Sequence, residues 1–188
     1  MAVKISSVNL NSINFSERLS HLGNNNFTKK LRFITSIQTD FLLVQDLRLV
    51  GPAHLTMKNL LAHSPNGSFE FISNSTLNHR GVGIIYKKDK DVEILDVYRD
   101  DECNLLGVNL LFNGKKMLLI SAYAPNQECQ TFLNNIMDCV ERVDHSTIVI
   151  GGDLNTILDR NIDIINSIRR PNAHPQPIRA EFINNLIR

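Results

Sequence analysis

Hydrophobic positions change their period several times along this chain, and each change marks an element. Residues 3–10, VKISSVNL, read as a short strand, followed by a polar, Asn-rich loop, NSINFSERLSHLGNN. From Thr28 the apolar positions Leu31, Ile34 and Ile37 recur at helical spacing behind Phe27, which predicts a helix ending near Thr39. DFLLVQD (40–46) is a continuous apolar run of strand length. A second helix is predicted near 54–63, with Leu55, Leu60 and Leu61 facing inward and a stop at Pro65-Asn66-Gly67.

From there the texture is that of short strands at regular spacing. SFEFISN (68–74) and DVEILDVYR (91–99) alternate, whereas GVGIIYK (81–87) is compact and apolar. NLLGVNLLF (104–112) runs into Asn113-Gly114, a two-residue hairpin signal, and KKMLLISAYAP (115–125) stops at Pro125. A helix over 127–143 gathers Phe132, Leu133, Ile136, Met137, Val140 and Val143 on one face. STIVIGGD (146–153) is the next strand, and Gly151 and Gly152 read as a tight turn that leaves Asp153 and Asn155 facing the same way. A polar segment with Pro171, Pro175 and Pro177 follows, then a last amphipathic stretch, PIRAEFINNLIR. So many hairpin signals exclude a purely parallel sheet and favour an α/β sandwich of mixed sheets.

Composition narrows the class without naming a partner. A length of 188 residues suits a single domain over 1–188, and 43% hydrophobic with 21% charged residues describes a soluble globular protein. With 20 basic and 19 acidic residues, the net charge of +1 advertises neither nucleic acid nor membrane. Cys103, Cys129 and Cys139 form an odd set without metal-like spacing and read as reduced thiols. No secretory h-region opens the chain, and its apolar runs fall far short of the roughly 20 residues a membrane span requires. The expectation is an intracellular, unsecreted monomer, nuclear or cytoplasmic.

Polar residues cap the apolar strands. Asn9 and Asn11 end the first, Gln45 and Asp46 the second, Tyr123 the seventh, and Asp153 and Asn155 the eighth. Each alone is an ordinary turn or packing residue. As a set they place carboxylates and carboxamides where rigid strands fix geometry, and such oxygen donors suit a hard divalent cation that polarises a phosphoryl oxygen.

SVNLN, LLVQD, RGVGIIY, ISAYAPN and IVIGGDLNTILDRNID occur in the order found in the endonuclease/exonuclease/phosphatase superfamily. The chain resembles that superfamily over nearly all of residues 3–165, and within it the endonuclease domains of non-LTR retrotransposons, through NGKKMLLISAYAPN followed by GGDLNTILDRNID. It is similar also to the abasic-site DNA repair nucleases. The resemblance implies a DNase I-like fold, a mixed-sheet β-sandwich flanked by helices in four α/β/β/α layers, here missing its last strands. It implies Mg²⁺- or Mn²⁺-dependent phosphodiester hydrolysis of DNA, nicking one strand, in a protein whose complete form is fused to a reverse transcriptase. Carried over residue by residue, Asn9 helps organise the metal-bound phosphate, Asp46 stands at the metal-binding glutamate, and Tyr123 contacts the scissile phosphate. Asp153 orients or activates the attacking water, and Asn155 contacts the phosphate and supports the transition state. Asn126 is a further groove-lining candidate.

Two departures qualify the resemblance. Asp46 is shorter than the family's Glu by one C–C bond, about 1.5 Å. The family's closing Ser-Asp-His-like motif is absent, so the chain is expected to be a C-terminally truncated piece of the domain with little or no activity. Asp144-His145 is no substitute, because eight extended residues place it up to ~26 Å from Asp153. His79 reads as a solvated loop residue before a groove residue, and Arg160, Arg169, Arg170 and Arg179 as a loose basic cluster, solvated surface arginines before phosphate contacts. Two alternatives stay open: the same fold acting on a phospholipid, an inositol phosphate or RNA, and a non-catalytic remnant with weak DNA binding.

Overall fold

Alternation along the strands decides which side chains face which layer. The computed structural model describes residues 2–13, 25–49, 51–75, 80–127, 129–144, 147–155 and 181. Its elements, in chain order, are β1 (Ile5–Asn9), α1 (Asn25–Ser36), β2 (Phe41–Gln45), α2 (Pro52–Ala62), β3 (Phe69–Asn74), β4 (Val82–Lys87), β5 (Val92–Arg99), β6 (Leu105–Phe112), β7 (Lys115–Tyr123), α3 (Gln130–Glu141) and β8 (Ile148–Asp153). The proline-bearing segment beyond 155, the final amphipathic stretch apart from residue 181, Arg160, Arg169, Arg170 and Arg179, and His21, His79, His145 and His174 lie outside the described residues.

Two four-stranded sheets form, ordered β1-β2-β4-β3 and β5-β6-β7-β8. Each is mixed: β1 runs parallel to β2 and β7 parallel to β8, while the remaining pairs are antiparallel. Side chains of β2 alternate between layers, Phe41 and Leu43 packing between the sheets, Leu42 and Val44 packing under α1 and α2. In β7, Met117 and Leu119 point between the sheets, whereas Leu118 and Ile120 meet Phe132, Leu133, Ile136 and Cys139 of α3. Three apolar seams therefore hold four layers, helix, sheet, sheet and helix, as the sequence predicts. Gly107 is where α3 presses closest, since a Cβ there runs into Cys139 Sγ.

The Asn113-Gly114 hairpin forms with both residues at positive φ (50° and 74°), the signature of a type I′ turn. Helix α2 corrects its predicted face. It starts at Pro52, and Met57 and Leu61 are fully buried with Ala53 beside them, a strict i, i+4, i+8 stripe. Leu55 and Leu60 lie off that stripe, 59% and 39% exposed. Among the described residues no helix is long and apolar enough to cross a membrane.

Candidate functional site

Strand pairing brings the polar strand ends to one edge of the sandwich. Asn9 pairs with Gln45, Gln45 with Val82, and Tyr123 with Asp153, so the C-terminal ends of β1, β2, β7 and β8 share a rim. Across that rim Asn9 Nδ2 donates to Asp153 Oδ2 at 2.8 Å, tying one sheet to the other. Asn9 Oδ1 accepts from the Asn11 amide at 2.9 Å, which fixes the carboxamide's orientation. Asp153 Oδ1 accepts from the Asn155 amide at 3.1 Å, and Asn155 Nδ2 donates to the Ala124 carbonyl at 2.6 Å. Asp153 and Asn155 thus belong to one small knot behind β8.

Asp46 is buried, 3% exposed, and Arg48 grips it with a fork: Nε to Oδ1 at 2.8 Å and Nη2 to Oδ2 at 3.0 Å. Both residues hold positive φ, 54° and 51°, a conformation unfavourable for side-chain-bearing residues. Neighbouring backbone enforces it. The Asp46 and Leu47 carbonyls accept from the Ser12 and Ile13 amides, while the Leu47 and Arg48 amides donate to the Gly81 and Arg80 carbonyls.

Tyr123 stands between these carboxylates and two guanidiniums. Burial pushes its phenol up from the ordinary value, and the charges of Asp46 and Asp153 add to the rise, against the partial relief of Arg48 and Arg80. The hydroxyl therefore stays protonated at neutral pH and keeps a proton to donate. Arg80 bonds Glu102 at 3.0 Å. Asn104, in the amide orientation its neighbours satisfy, donates to the Tyr123 carbonyl at 3.1 Å and accepts from Arg80 Nη1 at 3.2 Å. The sequence reading missed Arg48, Arg80 and Asn104. Their only sequence signals are position: two residues past Asp46, just before Gly81, and at the mouth of β6.

Two sequence readings change. Gln45 does not face the groove: it is buried between the sheets, where Nε2 donates to Ser121 Oγ at 3.2 Å and Oε1 accepts from Ser7 Oγ at 3.3 Å. Gly151 and Gly152 make no turn but lie within β8, opposite Ser121 and Ala122. What they permit is close approach: a Cβ on Gly151 falls 2.6 Å from Leu43 Cδ1 of the other sheet, and one on Gly152 runs into the Ala122 main chain. Asp144 pairs with Lys116 at 3.4 Å, at the opposite end of β7 from Tyr123. His54 and His63 are engaged elsewhere, with Ser73 Oγ at 2.7 Å and the Asn59 carbonyl at 2.9 Å.

The oxygen donors at the rim are of the type a hard cation accepts. Their arrangement fits one poorly, because Arg48 takes both Asp46 oxygens and no group of three His, Cys, Asp or Glu able to hold a metal exists among the described residues.

No protein-family model matches the sequence, and no curated protein matches it. Solved structures do match. A 3'-5' exonuclease (NExo) from Neisseria meningitidis superposes with a TM-score of 0.63 at 16% identity, over 98% of this chain and 70% of that one. The AP endonuclease LMAP from Leishmania major gives 0.56 at 16% identity, over 82% of this chain and 55% of that one. D. rerio TDP2 complexed with single strand DNA product gives 0.53 at 17% identity, over 85% and 63%. The chain thus spans between 55% and 70% of the length of these structural neighbours and shares their DNase I-like fold.

Proposed function

We propose that this domain hydrolyses phosphodiester bonds in DNA, nicking one strand, as a retrotransposon-type endonuclease assisted by Mg²⁺ or Mn²⁺. The observation that carries the proposal is the Asn9–Asp153 bond at the rim of the sandwich, with Tyr123 alongside. Structural neighbours bearing the names exonuclease and AP endonuclease, and one holding single strand DNA product, support DNA as the substrate.

Each residue's part follows from its chemistry. Asp153, held by Asn9 and the Asn155 amide, orients a water for attack on phosphorus and accepts its proton, while the opposite P–O bond breaks and the departing alkoxide takes a proton from solvent water. The protonated Tyr123 hydroxyl donates to a phosphate oxygen as charge develops there. Arg80 sets a fixed positive charge beside it, and Asn155 holds the loop that bounds the site. Asp46 would hold a divalent cation only on release from Arg48, and such an ion would supply further charge neutralisation at the phosphate. The Asp46–Arg48 pair favours a second reading, a remnant that binds DNA without cutting it.

Supercoiled plasmid with Mg²⁺ or Mn²⁺ tests the proposal. Slow nicking is expected, because Arg48 engages Asp46, and Asp153→Ala is expected to lower it by roughly 10²–10⁴-fold, the usual weight of a general base. Intact plasmid together with hydrolysis of inositol phosphates or phospholipid overturns the DNA assignment. DNA retention without hydrolysis of any ester leaves the remnant.

A further inference from the structure

The fork of Arg48 on Asp46 is too specific to be a casual surface pair. Fully exposed ion pairs contribute little. Here the carboxylate is 4% exposed and the guanidinium 40%, both backbones sit at positive φ, and four main-chain hydrogen bonds from residues 12, 13, 80 and 81 fix that path. Strain maintained at a site by its surroundings is a pointer to function. The planar fork matches a carboxylate in two hydrogen bonds, a geometry that lysine lacks. The Tyr123 phenol lies near this pair, and Asp153 and Arg80 lie near that phenol. Arg48 is therefore the cation that balances Asp46 directly, through both carboxylate oxygens.

We propose that Arg48 occupies the seat at Asp46 that a divalent cation would take, so that cation binding and the Asp46–Arg48 pair exclude one another. The short aspartate is part of the device. Its carboxylate stays close to the main chain, within reach of a guanidinium two residues on, and both oxygens are engaged there. A cation entering the rim must break two charge-assisted hydrogen bonds, and Arg48, exposed on its outer side and facing Tyr123, is then free for a phosphate oxygen. The inference rests on the phosphodiesterase reading of this rim, but its consequence is a binding equilibrium and not a rate.

Mn²⁺ titration of the 188-residue protein, followed by electron paramagnetic resonance of the free ion, reads that equilibrium directly. Arg48→Met is expected to bind Mn²⁺ at least about tenfold more tightly than wild type, about 1.4 kcal/mol. The gain is expected to vanish in the Asp46→Asn/Arg48→Met double variant. Arg48→Lys keeps the charge, loses the fork and is expected to fall between, which preserves the test if the methionine variant folds poorly. Mn²⁺ affinity unchanged or weakened in both single variants overturns the proposal, as does a gain that survives Asp46→Asn. Tightening as expected in a protein that never nicks DNA sinks the phosphodiesterase reading alone. Nicking with no change of Mn²⁺ affinity sinks this inference alone.

Discussion

Replacing Gly152 by alanine tests whether close approach, and not turning, is what the paired glycines provide. Gly152 sits opposite Ala122 in the parallel β7–β8 ladder, and its added Cβ runs into the Ala122 carbonyl oxygen, with the carbonyl carbon at 2.8 Å and the nitrogen at 3.0 Å. These obstacles are main chain, so no rotamer relieves them and β8 itself must shift. Overpacking of this kind costs about 1–3 kcal/mol. The shift also loosens the pairing of Asp153 and the bond from the Ala124 amide to the Asp153 carbonyl, now 2.9 Å, at about 0.5–1.5 kcal/mol per hydrogen bond. Together these give a loss of about 2–5 kcal/mol, a large share of the 5–15 kcal/mol typical of a domain. Gly151→Ala meets a softer obstacle, the end of the Leu43 side chain at 2.6 Å, and is expected to cost less. Gly114→Ala meets nothing within 4 Å and suffers only its φ of 74°, about 1 kcal/mol. Urea unfolding followed by far-ultraviolet circular dichroism ranks the three. The side-chain amide resonances of Asn9 report whether its bond to Asp153 survives. A Gly152→Ala midpoint equal to wild type, or a milder loss than Gly114→Ala, refutes the reasoning.

Two further outcomes are expected. Burial raises the Asp100 carboxyl above its ordinary value of 3.8 despite hydrogen bonds from the Leu105 and Asn104 amides, and its Oδ2 has no hydrogen-bond partner among the described residues. The native state then holds its proton to higher pH than the unfolded chain, so stability falls as pH rises from 3.8 through the raised native value and is level above it. Asp100→Asn removes that dependence. Its stability relative to wild type should climb across this window, and a pH-independent difference by urea unfolding counts against the account. Burial also pushes the Cys139 thiol up to about 12, whereas Cys129 is partly exposed. Iodoacetamide near pH 8 should therefore label Cys129 first and Cys139 only on unfolding; early labelling of Cys139, read by mass spectrometry, contradicts its packing under α3.

Most strands were legible as short runs bounded by turn signals: SFEFISN and DVEILDVYR alternate, whereas Phe41–Val44 is apolar throughout and only packing divides Phe41 and Leu43 from Leu42 and Val44. The inward face of α2 was not, because four apolar residues compete for it and only packing against the sheet selects Met57 and Leu61 over Leu55 and Leu60. Asn9, Asp46, Tyr123, Asp153 and Asn155 were singled out because they end strands, and sheet pairing carries strand ends to a common rim. Gln45 shares that position in sequence, yet its side chain turns inward to bridge the sheets through Ser7 and Ser121. Arg48, Arg80 and Asn104 reach the rim from loops whose backbone path depends on contacts far apart in sequence. No local pattern announces them.

Those loops share a physical character that separates the rim from the rest of the molecule. Eight non-glycine residues have positive φ among those described, and seven of them, Asn11, Ser12, Asp46, Arg48, Arg80, Cys103 and Asn155, lie in segments flanking the rim. Only Asn113 lies at the far end, in a hairpin whose geometry requires it. Each such conformation costs about 1–2 kcal/mol for a residue with a side chain, although asparagine bears it more readily. Spread over the rim, the total is of the order of the domain's net stability, so the packed layers beneath must offset it. They are built to do so. Leu47 is fully buried between two strained neighbours, and the Ser7–Gln45–Ser121 bridge joins the sheets directly below. A rim serving only to close the sandwich has cheaper solutions, with glycine at these positions. Of the seven, Ser12 and Cys103 are buried, while the other five carry two carboxamides, a carboxylate and two guanidiniums, the groups on which the proposed phosphodiesterase reading draws.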